Sequence, residues 1–237
     1  KLLQSAVHKI AITNNIDTFT PNNFDNEALD HINKIKPDLI IVMAYGKILP
    51  KQVLEIPKYG CINLHVSLLP RWRGAAPIEH TLMNGDLETG ISIIKLVEKL
   101  DAGPIIAQKK ILIPDNFNKL QLSNKLTEIG TKLLVEVIPL IFKEDINLIP
   151  QKENLATYAN KLTTENRKIN FNNSSKNIIN QIRAFAPKPG AWFNLNKERI
   201  KIIDAKKGKY KGEISTILNG KFEIGCEDGS IEPLILQ

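Results

Sequence analysis

Residues 38–45 read DLIIVMAY, an unbroken apolar run closed by Gly46. A run of this length, without polar alternation, marks a strand covered on both faces, as in a parallel sheet. Upstream, residues 27–35 have helical spacing, residues 1–9 suit another helix, and residues 10–19 offer an extended segment before Pro21. Downstream, residues 50–55 are helix-like and residues 60–66 form a second strand. Pro77 suits the first turn of a helix reaching Asn84, with Gly85 as its stop. Residues 90–97 read as a further strand and residues 103–113 as its hairpin-like partner. Residues 118–143 carry the clearest helical stripe: Leu122, Leu126, Ile129, Leu133, Val137 and Leu140. Glu128 and Lys132 are spaced to pair outside that stripe, and Pro139 is placed to kink or restart the helix. Helices alternating with apolar strands predict an α/β unit with a mainly parallel sheet.

The pattern changes at residues 145–161, which lack periodicity and read as a linker. Residues 174–185 look like a short helix opened by a serine cap. After the turn at 187–190 come five short strands, at 191–195, 200–205, 212–218, 221–226 and 231–236. Asn219-Gly220 and Asp228-Gly229 are hairpin-turn dipeptides. One helix and five short strands suggest a small OB-like barrel. The expected organisation is therefore a first unit at 1–148, a linker at 149–165 and a second unit at 166–237.

No apolar run reaches transmembrane length and no basic-then-apolar leader opens the chain, so a soluble protein without a membrane partner is expected. Two cysteines, Cys61 and Cys226, give no disulfide framework and favour a reducing compartment. The four histidines form no pair with either cysteine at zinc-site spacing, so no metal is expected. The net charge of +7 is uneven. Residues 151–237 hold 15 Lys and Arg against 9 Asp and Glu, whereas residues 1–150 hold 17 against 16. That asymmetry suits a polyanion partner for the last third, although a basic surface also serves solubility.

Within residues 61–66, side chains two apart share one face, so Asn63 and His65 emerge together near the C-terminal end of a strand, where open α/β sheets place ligands. Asn-x-His alone is more often structural than catalytic. It runs into Ser67-Leu-Leu-Pro70 and then Arg71-Trp-Arg73-Gly74-Ala-Ala-Pro77-Ile78. Asp101 comes later, within Leu100-Asp101-Ala-Gly103-Pro104. These blocks resemble the 10-formyltetrahydrofolate-using formyltransferases, whose catalytic trio is Asn, His and Asp at this spacing. Ser-Leu-Leu-Pro followed by Arg-Gly-Ala-Ala-Pro-Ile is similar to the methionyl-tRNA formyltransferase family within them. Thr157-Tyr-Ala159 with Lys161-Leu162, and Ile182-Arg183-Ala184 with Pro187-Lys-Pro189-Gly190-Ala191, resemble that family's C-terminal part.

The resemblance implies a Rossmann-like sheet and catalysis by Asn63, His65 and Asp101, with Asp101 orienting the imidazole and raising its pKa. It implies 10-formyltetrahydrofolate as formyl donor, contacted by Ser67, Leu68, Leu69, Pro70, Tyr45 and Gly46, with no metal. It implies initiator methionyl-tRNA as acceptor, a monomer, and a location in a bacterial cytoplasm or organelle matrix. Arg71 and Arg73 could hold phosphate through their forked donors or belong to a solvated loop. Lys161 and Arg183, with the basic last third, are candidate contacts to tRNA. Trp72 either stacks on a ligand or caps the sheet edge.

Against the family pattern the opening strand–helix–strand unit and an early tRNA-contacting loop are missing, and the chain stops before the usual last strands. It therefore reads as truncated at both ends. Smaller departures are Glu79 for glutamine, Asn160 after Thr-Tyr-Ala, and Phe171 for tryptophan. Rival readings are a formyltransferase or related hydrolase acting on a small acceptor, and a non-catalytic nucleic-acid-binding remnant.

Overall fold

A computed structural model describes residues 4–218 and 222–237 of the protein. Residues 1–3 of the first expected helix, the Asn219-Gly220 turn and Lys221 of the strand expected at 221–226 lie outside the described residues. In chain order the elements are α1 (Ala6–Thr13), α2 (Asn26–Ile35), β1 (Ile40–Val42), α3 (Lys51–Leu54), β2 (Cys61–His65), β3 (Arg73–Gly74), α4 (Pro77–Met83), β4 (Glu88–Lys95), β5 (Ile105–Leu112), α5 (Lys119–Phe142), β6 (Tyr158–Ala159), α6 (Ser175–Phe185), β7 (Ala191–Leu195), β8 (Glu198–Lys207), β9 (Ile224–Cys226) and β10 (Gly229–Leu236).

Caps set several of these starts. Ser5 accepts from the His8 N–H at the head of α1, and Asp25 accepts from Ala28 at the head of α2. The extended segment expected from residue 10 begins only after Thr13, because α1 runs on past Ile10. Asn118 and Gln121 form a reciprocal capping box on α5. Pro139 neither ends nor restarts α5: it sits in the last turn, and the helix reaches Phe142. The stripe of α5 is buried at Leu122, Leu126, Val137 and Ile141, while Leu140 faces out. Gly130 allows the close approach to the sheet, since a Cβ there would lie 3.1 Å from both Leu64 methyl carbons.

The first sheet has the order β1-β2-β4-β5. The α/β class stands, but the sheet is mixed rather than mainly parallel. Only β1–β2 is parallel, with Val42 opposite Asn63, while β2–β4 and β4–β5 are antiparallel. Between β2 and β4 the seven-residue helix α4 leaves the chain at the same end of the sheet, and the connection from β4 to β5 is too short for a crossover. The expectation that residues 38–45 are buried on both faces also needs correction. β1 is an edge strand of three residues. Its Ile40 and Val42 pack with Leu49, Val53 and Cys61, while Ile41 and Met43 on the other face are exposed.

Alternation along β2 positions the site. Ile62 and Leu64 point toward α5, packing with Val137 and Ile141 and with Leu122 and Leu126 respectively. Asn63 and His65 therefore emerge on the opposite face. Both cysteines are buried as free thiols, and burial pushes the Cys61 thiol up to about 11.

Residues 145–161, expected as a plain linker, are fastened to the first unit. Ile149 bridges to Ile105, and β6 pairs in parallel with β3, Arg73 opposite Tyr158. The second sheet is antiparallel with the order β7-β8-β10-β9. Its register slips beyond Pro233, which bends β10 and curls the sheet. No ladder joins β7 to β9 among the described residues, so the expected barrel is an open half-barrel. The strand expected at 212–218 is also absent; that segment makes one bridge, Ile217 to Ile224. Helix α6, capped by Ser174, packs against α4 and β8. Leu64, Leu82, Leu126, Ile178, Ile182 and Ile202 belong to one continuous buried cluster that spans both sheets. Among the described residues no helix is long and apolar enough to cross a membrane.

Candidate active site

Asn63, His65 and Asp101 come together at the C-terminal end of β2, as the spacing of the sequence blocks suggested. The Asn63 Nδ2 donates to Asp101 Oδ1 at 3.3 Å, and His65 Nδ1 lies 3.6 Å from Asp101 Oδ2. Asp101 takes a left-handed backbone conformation, φ 47°, which costs a non-glycine residue on the order of 1 kcal/mol and must be held by its surroundings. Its Oδ2 also accepts from the Gly74 backbone N–H at 2.9 Å. Gly74 itself has φ 116°, and a Cβ there would lie 2.8 Å from the Ala159 carbonyl oxygen. Only glycine fits that position.

The Trp72 carbonyl, 2.8 Å from His65 Nε2, accepts a hydrogen bond from that nitrogen, which therefore carries the hydrogen. This leaves Nδ1 as the nitrogen that faces Asp101 and is available for proton transfer. His65 is 5% exposed. Burial lowers its pKa, and the attraction of Asp101 and the Trp72 bond recover only part of the loss. Asp101 does raise the His65 pKa, as expected, but desolvation outweighs it and the net shift is downward. At neutral pH the imidazole is neutral, carries its hydrogen on Nε2 and presents a lone pair on Nδ1.

This has a consequence for stability. Below about pH 6.5 the unfolded chain takes up a proton that buried His65 resists. The contribution of this residue is therefore present above that value and lost as pH falls through it. The urea midpoint is expected to decline between about pH 7.5 and about pH 5.5, and His65→Gln is expected to flatten part of that decline. An equal decline in the variant would count against a buried neutral imidazole.

The other expected site residues divide into internal and accessible groups. The Ser67 hydroxyl is fully buried and donates to the Arg71 carbonyl at 2.6 Å. The Leu69 N–H donates to Ser92 Oγ, and its carbonyl accepts from Gln108. Ser67 and Leu69 therefore shape their loop from within, leaving Leu68 and Pro70 half-buried at its surface. Tyr45 and Gly46 are exposed just beyond the C-terminal end of β1, with Tyr45 against Phe24. A cleft of about 580 Å³ opens beside Leu68, Trp72, Thr81 and Thr89; the trio does not line it.

Three of the four cations expected to meet tRNA are engaged internally. Arg71 makes a two-pronged bond to Asp86, at 2.9 and 2.7 Å, and stacks on Trp72. Arg73 is fully buried and bonded to Gln151 and Glu153, so it can reach neither phosphate nor solvent. Half-buried Arg183 donates to the Asp115 carbonyl, and burial lowers its pKa. Lys161 alone is exposed. Sequence reasoning missed Asp86, Thr157, Ser92, Gln108 and Gln151. Asp86 also accepts from the Trp72 indole, and Thr157 accepts from the Trp72 N–H across 85 positions of sequence. Separations of that size leave no local pattern. No group of three or more His, Cys, Asp and Glu residues is arranged for a metal among the described residues.

Two family models cover most of the chain. One described as formyl transferase matches residues 2–138, and one described as formyl transferase, C-terminal domain, matches residues 161–237. A methionyl-tRNA formyltransferase of Wolbachia sp. subsp. Drosophila simulans (strain wRi) is 42% identical over 238 residues, covering 100% of this chain and 78% of that protein. Among solved structures, an N-formyltransferase from Helicobacter canadensis in complex with folinic acid and dTDP-3-aminofucose superposes with a TM-score of 0.77 at 23% identity, covering 98% of this chain and 84% of that one. A methionyl-tRNA formyltransferase from Clostridium thermocellum gives a TM-score of 0.64 at 21% identity, covering 84% and 86%. At these identities the structural likeness speaks for the fold.

Proposed function

The chain belongs to the formyl transferase family, and from that membership we propose that it moves a formyl group from 10-formyltetrahydrofolate to the free amino group of methionyl initiator tRNA, for translation initiation. The observation that carries the mechanism is the meeting of an amide, an imidazole and a carboxylate within 3.3 and 3.6 Å. The amine nitrogen attacks the formyl carbon, and charge builds on the formyl oxygen. As the tetrahedral carbon collapses, its bond to the folate nitrogen breaks, and the proton lost by the amine ends on that nitrogen.

Asn63 Nδ2 carries two hydrogens; one is bonded to Asp101 and the other is available to the developing oxyanion. His65 Nδ1 takes the proton of the attacking amine and returns it to the leaving nitrogen, with Asp101 holding the imidazolium that forms between the two steps. Leu68, Pro70, Tyr45 and Gly46 are the groups left accessible to hold the folate. The reading carries with it a monomer working in a bacterial cytoplasm or an organelle matrix.

Lys161 and the exposed Lys188, Lys207, Lys209 and Lys211 are cations left accessible for the tRNA backbone in the basic last third. Backbone contacts of this kind release counterions, so tRNA affinity is expected to weaken about tenfold or more between low and moderate salt. A salt titration by filter binding checks this, and a flat response would mean that these cations do not hold the tRNA. The deciding assay offers the formyl donor with charged initiator tRNA or with amino-sugar nucleotides. Transfer to the tRNA is expected; transfer to the small amines alone would overturn the reading.

A further inference from the structure

We propose that Gln151, in the segment joining the two sheets, is a positioning residue for the transfer reaction: its amide fastens the backbone of Asp101 to the buried Arg73 and so fixes the carboxylate against His65. The proposal rests on the reading of Asn63, His65 and Asp101 given above.

Both ends of the Gln151 amide are engaged. Its Oε1 accepts from Arg73 Nε at 3.1 Å and from Arg73 Nη2 at 2.8 Å. Its Nε2 donates to the Asp101 carbonyl at 2.8 Å and to the Gly103 carbonyl at 2.7 Å. A guanidinium with no solvent exposure needs such partners, because an unpaired buried charge is costly. Arg73 cannot leave Gln151, and Gln151 cannot turn without abandoning two carbonyls.

The bond to Asp101 falls on the residue whose backbone is left-handed. The main-chain carbonyl is held by Gln151, and the side chain by the Gly74 N–H. Gly74 is next to Arg73 in the chain, so Arg73, Gln151, Asp101 and Gly74 close a ring around the carboxylate. Thr157, six residues after Gln151, acts in parallel: its Oγ1 holds the N–H of Trp72, which is also left-handed at φ 62° and supplies the carbonyl for His65 Nε2. The joining segment thus reaches both groups that flank the imidazole. Misplacing a reacting group by about 1 Å costs on the order of 100-fold in rate.

Two variants separate positioning from mere support of Arg73. Gln151→Glu keeps the acceptors for Arg73 and loses the hydrogens given to Asp101 and Gly103; Gln151→Met loses both sets. Positioning predicts that kcat falls about 10- to 100-fold in each, with KM for donor and acceptor within about twofold. Wild-type kcat in Gln151→Glu would show that Gln151 serves only as a hydrogen-bond acceptor for Arg73, and would overturn the proposal. The second readout is the NMR titration of the His65 imidazole, whose pKa is expected to fall in Gln151→Met as Asp101 drifts away. An unmoved titration would also overturn it. Should the methionine variant not fold, the glutamate variant decides. Should the wild-type chain transfer no formyl group, the function reading fails while the His65 titration still tests the positioning.

Discussion

Asn63→Ala is expected to lower kcat by about 10²–10³-fold, the usual loss when one preorganised oxyanion donor is removed. Affinity for the folate is expected to hold, because the proposed reaction assigns Asn63 to the formyl oxygen and leaves the donor to Leu68, Pro70, Tyr45 and Gly46. The structure adds a second effect: without the Nδ2 bond at 3.3 Å, Asp101 keeps only the Gly74 N–H on its carboxylate. Alanine at 63 and at 101 should therefore be strongly non-additive, the double variant being little worse than the poorer single one. Single-turnover formyl transfer measures the chemical step directly. A normal rate in Asn63→Ala would remove the amide from the mechanism.

The largest expected loss of stability is at Ile182, where truncation to alanine should cost about 2–5 kcal/mol. Ile182 is 1% exposed on α6, within the cluster that also holds Leu82, Leu122 and Leu126 of the first unit. Arg183 beside it is bonded to Asp115 across the same boundary. The two units marked out in the sequence thus contribute to one buried cluster. The two tryptophans report on different sides of it, Trp72 in the loop before α4 and Trp192 on β7. In urea titrations of single-tryptophan versions, Ile182→Ala should lower both midpoints together. A fall seen by Trp192 with no change at Trp72 would mean two independently stable bodies.

Local signals were the legible part of this chain. The stripe of α5, the proline at the start of α4 and the serine before α6 each act within a few residues, and each gave its element. That Asn63 and His65 share a strand face was legible from their spacing, whereas Asp101 was joined to them only by the family resemblance. What failed depended on surroundings that periodicity does not encode. An apolar strand reads alike at the centre or the edge of a sheet, so the run itself does not report that Ile41 is exposed at the edge of the described sheet. Arg73 has the fork of a phosphate binder, and only the fold shows that its partners are Gln151 and Glu153. The direction of the His65 shift comes from burial, and neighbouring residues do not report burial. The same holds for residues 145–161, whose lack of pattern hid an extended strap bonded at many points.

The parallel pairing of β6 with β3 bears on how this protein could be recombined. A chimaera that exchanges the C-terminal half at the apparent end of the first unit, near residue 148, would import a foreign strap and lose the contacts of Gln151 with Asp101 and of Thr157 and Ala159 with Trp72 and Gly74. The natural splice point lies later, beyond Ala159. By its bonds, the stretch from Ile149 to Ala159 is inherited with the chemistry, and modularity starts only on its C-terminal side.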